Sequence, residues 1–329
     1  MDGARPAVTA AADPGPAGAL LVVGDVVTDV VARHREPLAP DTDTAAAIAL
    51  RPGGAGANVA CWAARGGARA RLLGRAGTDL AAWHERELRA AGVEPFLRVD
   101  PTAPTAVVIA LVDAAAERTL VTDSGAALRL GPADWDEALL DGVAHVHLSG
   151  YLFFAAPGRE LAALVTRSAR ARGLPVSVDP ASEGFLHGLG PDRFLAAAAG
   201  TDVLLPNAAE AALLSGHPEP ARAAEELSRR TGGTVVVTLG PAGALAAEAG
   251  RLTARAPGLP RHALDSTGAG DAFTGAFLAA RLTGADLTAA LTAGCTAGAE
   301  AVTLVGARPP RDPHVADDAP GDVLLAPGG

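Results

Sequence analysis

Short apolar runs that stop at a glycine, a carboxylate or an asparagine, each followed by a helical pattern, set the strongest limit on how this chain can fold. Residues 19–23 stop at Gly24-Asp25, 143–148 at Ser149-Gly150, 175–179 at Asp179, 203–205 shortly before Asn207, and 234–239 at Gly240. Runs this short and this apolar read as strands buried in a sheet. Helical patterns fall between them at 59–65, 81–91 (with Gly92 just past its end), 158–172, 208–214 and 221–230, and two more follow at 272–282 and 287–301. A strand at 69–75 ends near Gly77, and 244–247 with 251–254 reads as a hairpin. The alternation predicts an α/β fold.

One region breaks the rhythm. Residues 26–32, 45–50, 96–99, 105–113 and 118–122 are β-rich, with almost no helix among the last three. They predict a small separate sheet, drawn from about 26–50 and 96–123, acting as a lid. The domain is expected over 19–310, with loose tails at 1–18 and 311–329. No internal repeat is visible.

Composition removes several chemistries. All 27 basic residues are arginine. Without lysine there is no Walker loop, no Schiff base and no protein-kinase strand lysine. A net charge of −10 argues against a nucleic-acid partner. Cys61 and Cys295 lack ligand-like spacing, which fits a reducing cytoplasm rather than a disulfide scaffold. No leader pattern and no bilayer-length apolar run is present, so no membrane partner is expected.

The stretch Asp265-Ser266-Thr267-Gly268-Ala269-Gly270-Asp271 carries the clearest chemistry. Small residues opening a helix present backbone N–H groups at the positive end of the helix dipole, which suits a phosphate. A carboxylate there can take a proton from a hydroxyl. Alone, this is also an ordinary helix start. Four further features stand at strand ends, where ligands bind in open α/β sheets. Asp25 and Asp29 follow the first strand and could accept from sugar hydroxyls, or be solvated turn residues. Gly53-Gly54-Ala55-Gly56-Ala57-Asn58 allows close approach of a ligand, and Asn58 could cap the next helix. Asn207-Ala208-Ala209-Glu210 is either a helix cap or a phosphate and metal-water element. Thr238-Leu239-Gly240-Pro241-Ala242-Gly243 suits a nucleotide. His145 and His147 share one strand face without a third ligand and read as structural, as do Cys295 and the three tryptophans.

In this order and spacing, the set resembles the PfkB family of ribokinase-like carbohydrate kinases, over roughly residues 19–310. The stretch ending at Asp271 resembles its D-[ST]-x-G-A-G-D signature. The resemblance implies a three-layer α/β/α core with a mostly parallel sheet and a small β-sheet lid. It implies ATP-dependent phosphorylation of a sugar hydroxyl with Mg2+. Asp271 would be the base, and Gly268, Ala269 and Gly270 the anion hole. Asp25, Asp29, Gly53, Gly54 and Asn58 would bind substrate. Asn207, Thr238, Gly240 and Gly243 would bind the nucleotide, with Glu210 reaching Mg2+ through water. Asp265, Thr267, Ala301 and Gly306 match positions that hold a monovalent cation such as K+ in some members. The lid would form a homodimer interface.

The chain also departs from the family. Ala55 stands where some members have lysine, and no glutamate stands at His147-Leu148-Ser149-Gly150, where ribokinase has one. Arg118 and Asp123 are further candidates for contact with the substrate. Two rival readings are a nucleoside kinase, which the few aromatics of the lid disfavour, and a non-catalytic sugar-binding regulator, which has no need of the base.

Overall fold

The computed structural model describes residues 18–114 and 118–310, with Arg118 as backbone only. The tails expected at 1–18 and 311–329 therefore lie outside the described residues except for Gly18.

The chain runs β1 (Ala19–Val23), β2 (Val27–His34), β3 (Ala46–Gly53), α1 (Ala55–Arg65), β4 (Ala70–Gly77), α2 (Ala81–Ala90), β5 (Val93–Asp100), β6 (Ala106–Val112) and β7 (Arg118–Asp123). It continues with β8 (Val143–Ser149), α3 (Ala156–Ala171), β9 (Val176–Asp179), α4 (Glu183–Leu189), α5 (Pro191–Ala197), β10 (Val203–Leu204), α6 (Ala208–Ser215) and α7 (Pro220–Thr231). It closes with β11 (Thr234–Thr238), β12 (Gly243–Glu248), β13 (Arg251–Pro257), α8 (Ala269–Leu282) and α9 (Leu287–Ala301).

Nine strands form the main sheet in the order β13-β12-β11-β10-β9-β8-β1-β4-β5. All pairings are parallel except the β11–β12 and β12–β13 pairs at one edge. Helices cover both faces, so β1 is apolar at every position. In β1, Ala19, Leu21 and Val23 enter the core under α3, while Leu20 and Val22 enter the core under α1 and α8. This is why the run 19–23 reads as continuous rather than alternating.

The second sheet has the order β3-β2-β6-β7. It is the lid expected from sequence, with one correction. Residues 96–99 do not belong to it: they lie in β5, which pairs in parallel with β4 at the edge of the main sheet. The lid leaves the body after Asp100, whose carboxylate takes the N–H groups of Thr102 and Ala103 and the guanidinium of Arg75. That knot fixes where the lid segment begins.

The histidines on β8 are structural. His145 Nε2 and His147 Nδ1 both hydrogen-bond the Ser177 hydroxyl, at 2.8 and 2.9 Å. Among the described residues no cluster of three or more His, Cys, Asp or Glu is arranged to hold a metal. No described helix is long and apolar enough to cross a membrane.

Candidate active site

The carboxyl ends of β1, β8, β9, β10 and β11 open into a cleft of about 400 Å³ beneath the lid. Asp271 lies in the first turn of α8, which begins at Ala269, three residues earlier than its sequence pattern suggests. Gly268 caps this helix with φ 74°, a left-handed conformation, and a Cβ there would fall 2.5 Å from that of Ala307. Glycine is thus demanded twice, by backbone and by space. The amides of Gly270 and Asp271 are among the unpaired N–H groups of a helix start and face the cleft. A phosphoryl group seated there would meet donors and the positive helix end together.

Asn58 does not cap α1, as its position after the glycines suggests. Gly54 is the cap, with φ 94°, and α1 starts at Ala55, which puts Asn58 within the first turn. Its Nδ2 donates to Asp271 Oδ2 at 2.8 Å. Its Oδ1 is buried without a partner, an acceptor left for a donor on a ligand. The surrounding protein strips water from Asp271 and pushes its carboxyl up to about 8, against the Asn58 hydrogen bond; Asp179, Asp25 and Asp29 push the same way. A base so poised gains proton affinity.

Asp25 lines the cleft and also has a structural task. Its carboxylate accepts from Ala55 N–H at 2.8 Å, Gly56 N–H at 3.1 Å and Ser149 Oγ at 2.8 Å. It thereby supplies the N-terminal anchor that Gly54 cannot, and ties α1 to the end of β8. Asp29 stands on the cleft side of β2, beside Gly53, where an added Cβ would meet its Oδ2 at 2.2 Å. Burial raises its carboxyl to about 6, opposed by Arg308.

Arg308 is a residue the motifs do not contain. It donates to the Gly53 carbonyl at 3.1 Å, while its Nε and Nη1 are buried without partners. It ties the segment after α9 to the end of β3.

Asn207 and Glu210 form a reciprocal capping box. Glu210 N–H donates to Asn207 Oδ1, and Asn207 N–H donates to Glu210 Oε2, both at 2.9 Å. The capping reading and the ligand reading coexist, since both residues also line the cleft. Asp179, missed in the sequence although it ends a strand, lies with them. Burial raises Asp179 above the usual carboxylate range, with Asp25 pushing the same way, and burial followed by the charge of Asp179 raises Glu210. A buried carboxylate pair in a cleft that no described arginine or histidine lines fits a hard divalent ion carrying its own water.

Thr238 lines the cleft at the end of β11, bridged to Asn207. Gly240 and Gly243 do not line it. A Cβ on Gly243 would meet the Ala256 carbonyl at 2.1 Å, so this glycine serves the close approach of β12 to β13. At the proposed cation loop, Asp265 Oδ1 accepts from Thr267 N–H and Oγ1, and Oδ2 from Gly306 N–H. The Ala301 carbonyl at the end of α9 accepts from Leu304 N–H. Asp123 also lines the cleft; the Arg118 side chain lies outside the described residues.

The aromatic residues of the cleft come from the body rather than the lid. Tyr151 and Phe154 follow β8, and Phe185 lies on α4. Phe154 and Phe185 stack with centroids 4.9 Å apart, and Tyr151 meets both edge-on.

Comparison with known proteins gives these residues a context. A family model described as pfkB family carbohydrate kinase matches residues 18–314. The chain is 32% identical over 296 residues to an ATP-dependent ribose-1-phosphate kinase of Halopiger xanaduensis, covering 88% of this chain and 93% of that one. A candidate ribokinase II from E. coli, solved with ATP and Mg2+, superposes with TM-score 0.78 at 25% identity, covering 88% and 94% of the two chains. An adenosine kinase from Sinorhizobium meliloti superposes with TM-score 0.79 at 23% identity, covering 89% and 96%, a likeness of fold.

Proposed function

The chain belongs to the pfkB carbohydrate kinase family, and from that premise we propose that it transfers the γ-phosphoryl of ATP to a sugar hydroxyl with Asp271 as the general base. The observation that carries this is the meeting of Asp271, the Asn58 amide and the open N-terminus of α8 in one cleft. Asn58 holds the Asp271 carboxylate toward the cleft, and its unpartnered Oδ1 accepts from a second hydroxyl of the acceptor. Asp29 accepts from a further hydroxyl. Asp271 takes the proton of the attacking hydroxyl as its oxygen approaches phosphorus. The amides of Gly270 and Asp271 stabilise the charge spread over the transferring group. The bond to the leaving oxygen of ADP breaks on the far side.

Asp179 and Glu210 would hold Mg2+ through its water ligands, and when bound the ion offsets phosphate charge. Thr238 and Asn207 would contact the nucleotide. A monovalent cation beside Asp265, offset by that single carboxylate and flanked by Thr267, Ala301 and Gly306, is part of the proposal, but no step runs through it. Lid closure excludes water and limits ATP hydrolysis. The lid also offers an apolar outer row for a second copy of the chain: Leu50, Val30, Ile109 and Val121 lie side by side across it, and Leu50, Ile109 and Val121 are exposed. A cytoplasmic enzyme fits the free, buried thiols Cys61 and Cys295.

A sugar-binding regulator on the same fold needs no base. Coupled ADP-release assays over pentoses, ketohexoses and nucleosides separate the two. The expected result is ADP release that depends on both acceptor and Mg2+. Saturable acceptor binding without acceptor-dependent ADP would favour the regulator.

A further inference from the structure

We propose that the acceptor is an uncharged sugar bearing a flat ring, that is, a nucleoside, rather than a free sugar or a sugar phosphate. The inference rests on the phosphotransfer reading and narrows it to a substrate class.

Charge is the first argument. Asp25, Asp29, Asp123, Asp179, Glu210 and Asp271 line the cleft, and no arginine or histidine does among the described residues. The anion hole at α8 and the Asp179–Glu210 pair serve the phosphates of ATP. At the acceptor end, Arg308, which donates to the Gly53 carbonyl, and Arg51, the cross-strand neighbour of Asp29, are not among the lining residues. Among the described residues, a second phosphate, on the acceptor, would meet carboxylates in the lining and no lining guanidinium.

The second argument is the wall that the sugar itself does not use. Tyr151 and Phe154 line the cleft after β8, the neighbour of β1, and Phe185 lines it after β9, the neighbour of β8; Asp25 follows β1. Leu120 of β7 and Leu128 just after it line the same cleft. Phe185, Leu120 and Leu128 are 44%, 62% and 45% exposed, large apolar side chains left open to water in a concave site. Exposed apolar surface gathered in a cleft marks a ligand with apolar surface of its own. A pentose has too little; a nucleobase has two π-faces that stack on aromatic side chains.

The loop that presents Phe185 is built under strain. Ala181, also lining the cleft, has φ 71°, and its N–H is held by Asp179 Oδ1 at 2.7 Å. A non-glycine residue kept in that region, beside a reacting site, is the kind of strain that positions a functional loop.

The test compares kcat/KM for adenosine, guanosine, inosine, cytidine and uridine with ribose and ribose 1-phosphate, using ADP release. Supporting results are a best nucleoside at least about tenfold above ribose, with ribose 1-phosphate below that nucleoside. In Phe185→Ala, the nucleoside-to-ribose ratio of kcat/KM should fall at least about fivefold. A preference for ribose 1-phosphate or ribose, or an unchanged ratio in Phe185→Ala, overturns the inference while leaving the kinase reading intact. If no acceptor releases ADP, the kinase reading fails. The acceptor class is then decided by calorimetry with Mg2+ and ADP present: nucleoside binding tighter than ribose 1-phosphate supports it, and the reverse order or no binding overturns it.

Discussion

Asp271 holds a carboxylate where its ionised form has little water and one side-chain donor, Asn58. That arrangement serves a base and costs stability. Its carboxyl is raised from the ordinary 3.8 to about 8 in the folded chain. Between those values the folded state binds the proton that the unfolded state has released, so stability is lost as pH rises from about 4 to about 8. Asparagine cannot ionise and escapes this loss. Without nucleotide, Asp271→Asn should therefore melt above the wild type at pH 8, by a few degrees if ~1 kcal/mol moves the midpoint by ~2–4 °C. The gap should shrink toward pH 5. A variant that melts below the wild type at pH 8 would show that the carboxylate is better solvated than its surroundings indicate. Asp271 and Asn58 are legible in the sequence because each stands within a glycine-rich motif at a helix start, and Asp29 because it is a carboxylate in a largely apolar run just after the first strand. Arg308 and the Tyr151, Phe154 and Phe185 wall are not. They carry no local signature, and the wall exists only because β8 and β9 are neighbours in the sheet.

At the scale of elements, the lid shows both the reach and the limit of reading a pattern. Its strands were visible because 105–113 and 118–122 are β-rich with no helix between them. β5 looks the same in sequence, with Glu94, Pro95 and Arg98 interrupting its apolar residues. The cause is its place at the sheet edge, where one flank lacks a strand and much of the strand meets water. Its pairing partner, β4, is a non-local fact. The capping of α1 is similar: the glycines announced a turn, but the acceptor for its amides is Asp25, thirty residues earlier. The outer row of the lid gives a direct test of assembly. Val121 is 55% exposed and lies on the face opposite Leu120 and Thr122, which line the cleft. Val121→Asp should leave a monomer in sedimentation velocity at concentrations where the wild type is a dimer. A wild type that stays monomeric, or a variant that still dimerises, would remove the lid as an interface.

At the scale of the molecule, the sheet order aligns the ends of β1, β8, β9, β10 and β11 along one edge of a single cleft. The lid roofs it from an insertion, and α1 and α8 deliver Asn58 and Asp271 from neighbouring helix starts 213 residues apart in sequence. Motif order along the chain could suggest that convergence but not its distances. The central claim is that this convergence makes Asp271 the proton acceptor in phosphoryl transfer, and the measurement that tests it most directly is kcat together with acceptor affinity in Asp271→Asn. The expected kcat is lower by ~10²–10⁴-fold, the usual worth of a general base, with the acceptor Kd within about threefold of the wild type. A variant that keeps kcat within a few-fold of the wild type would contradict it.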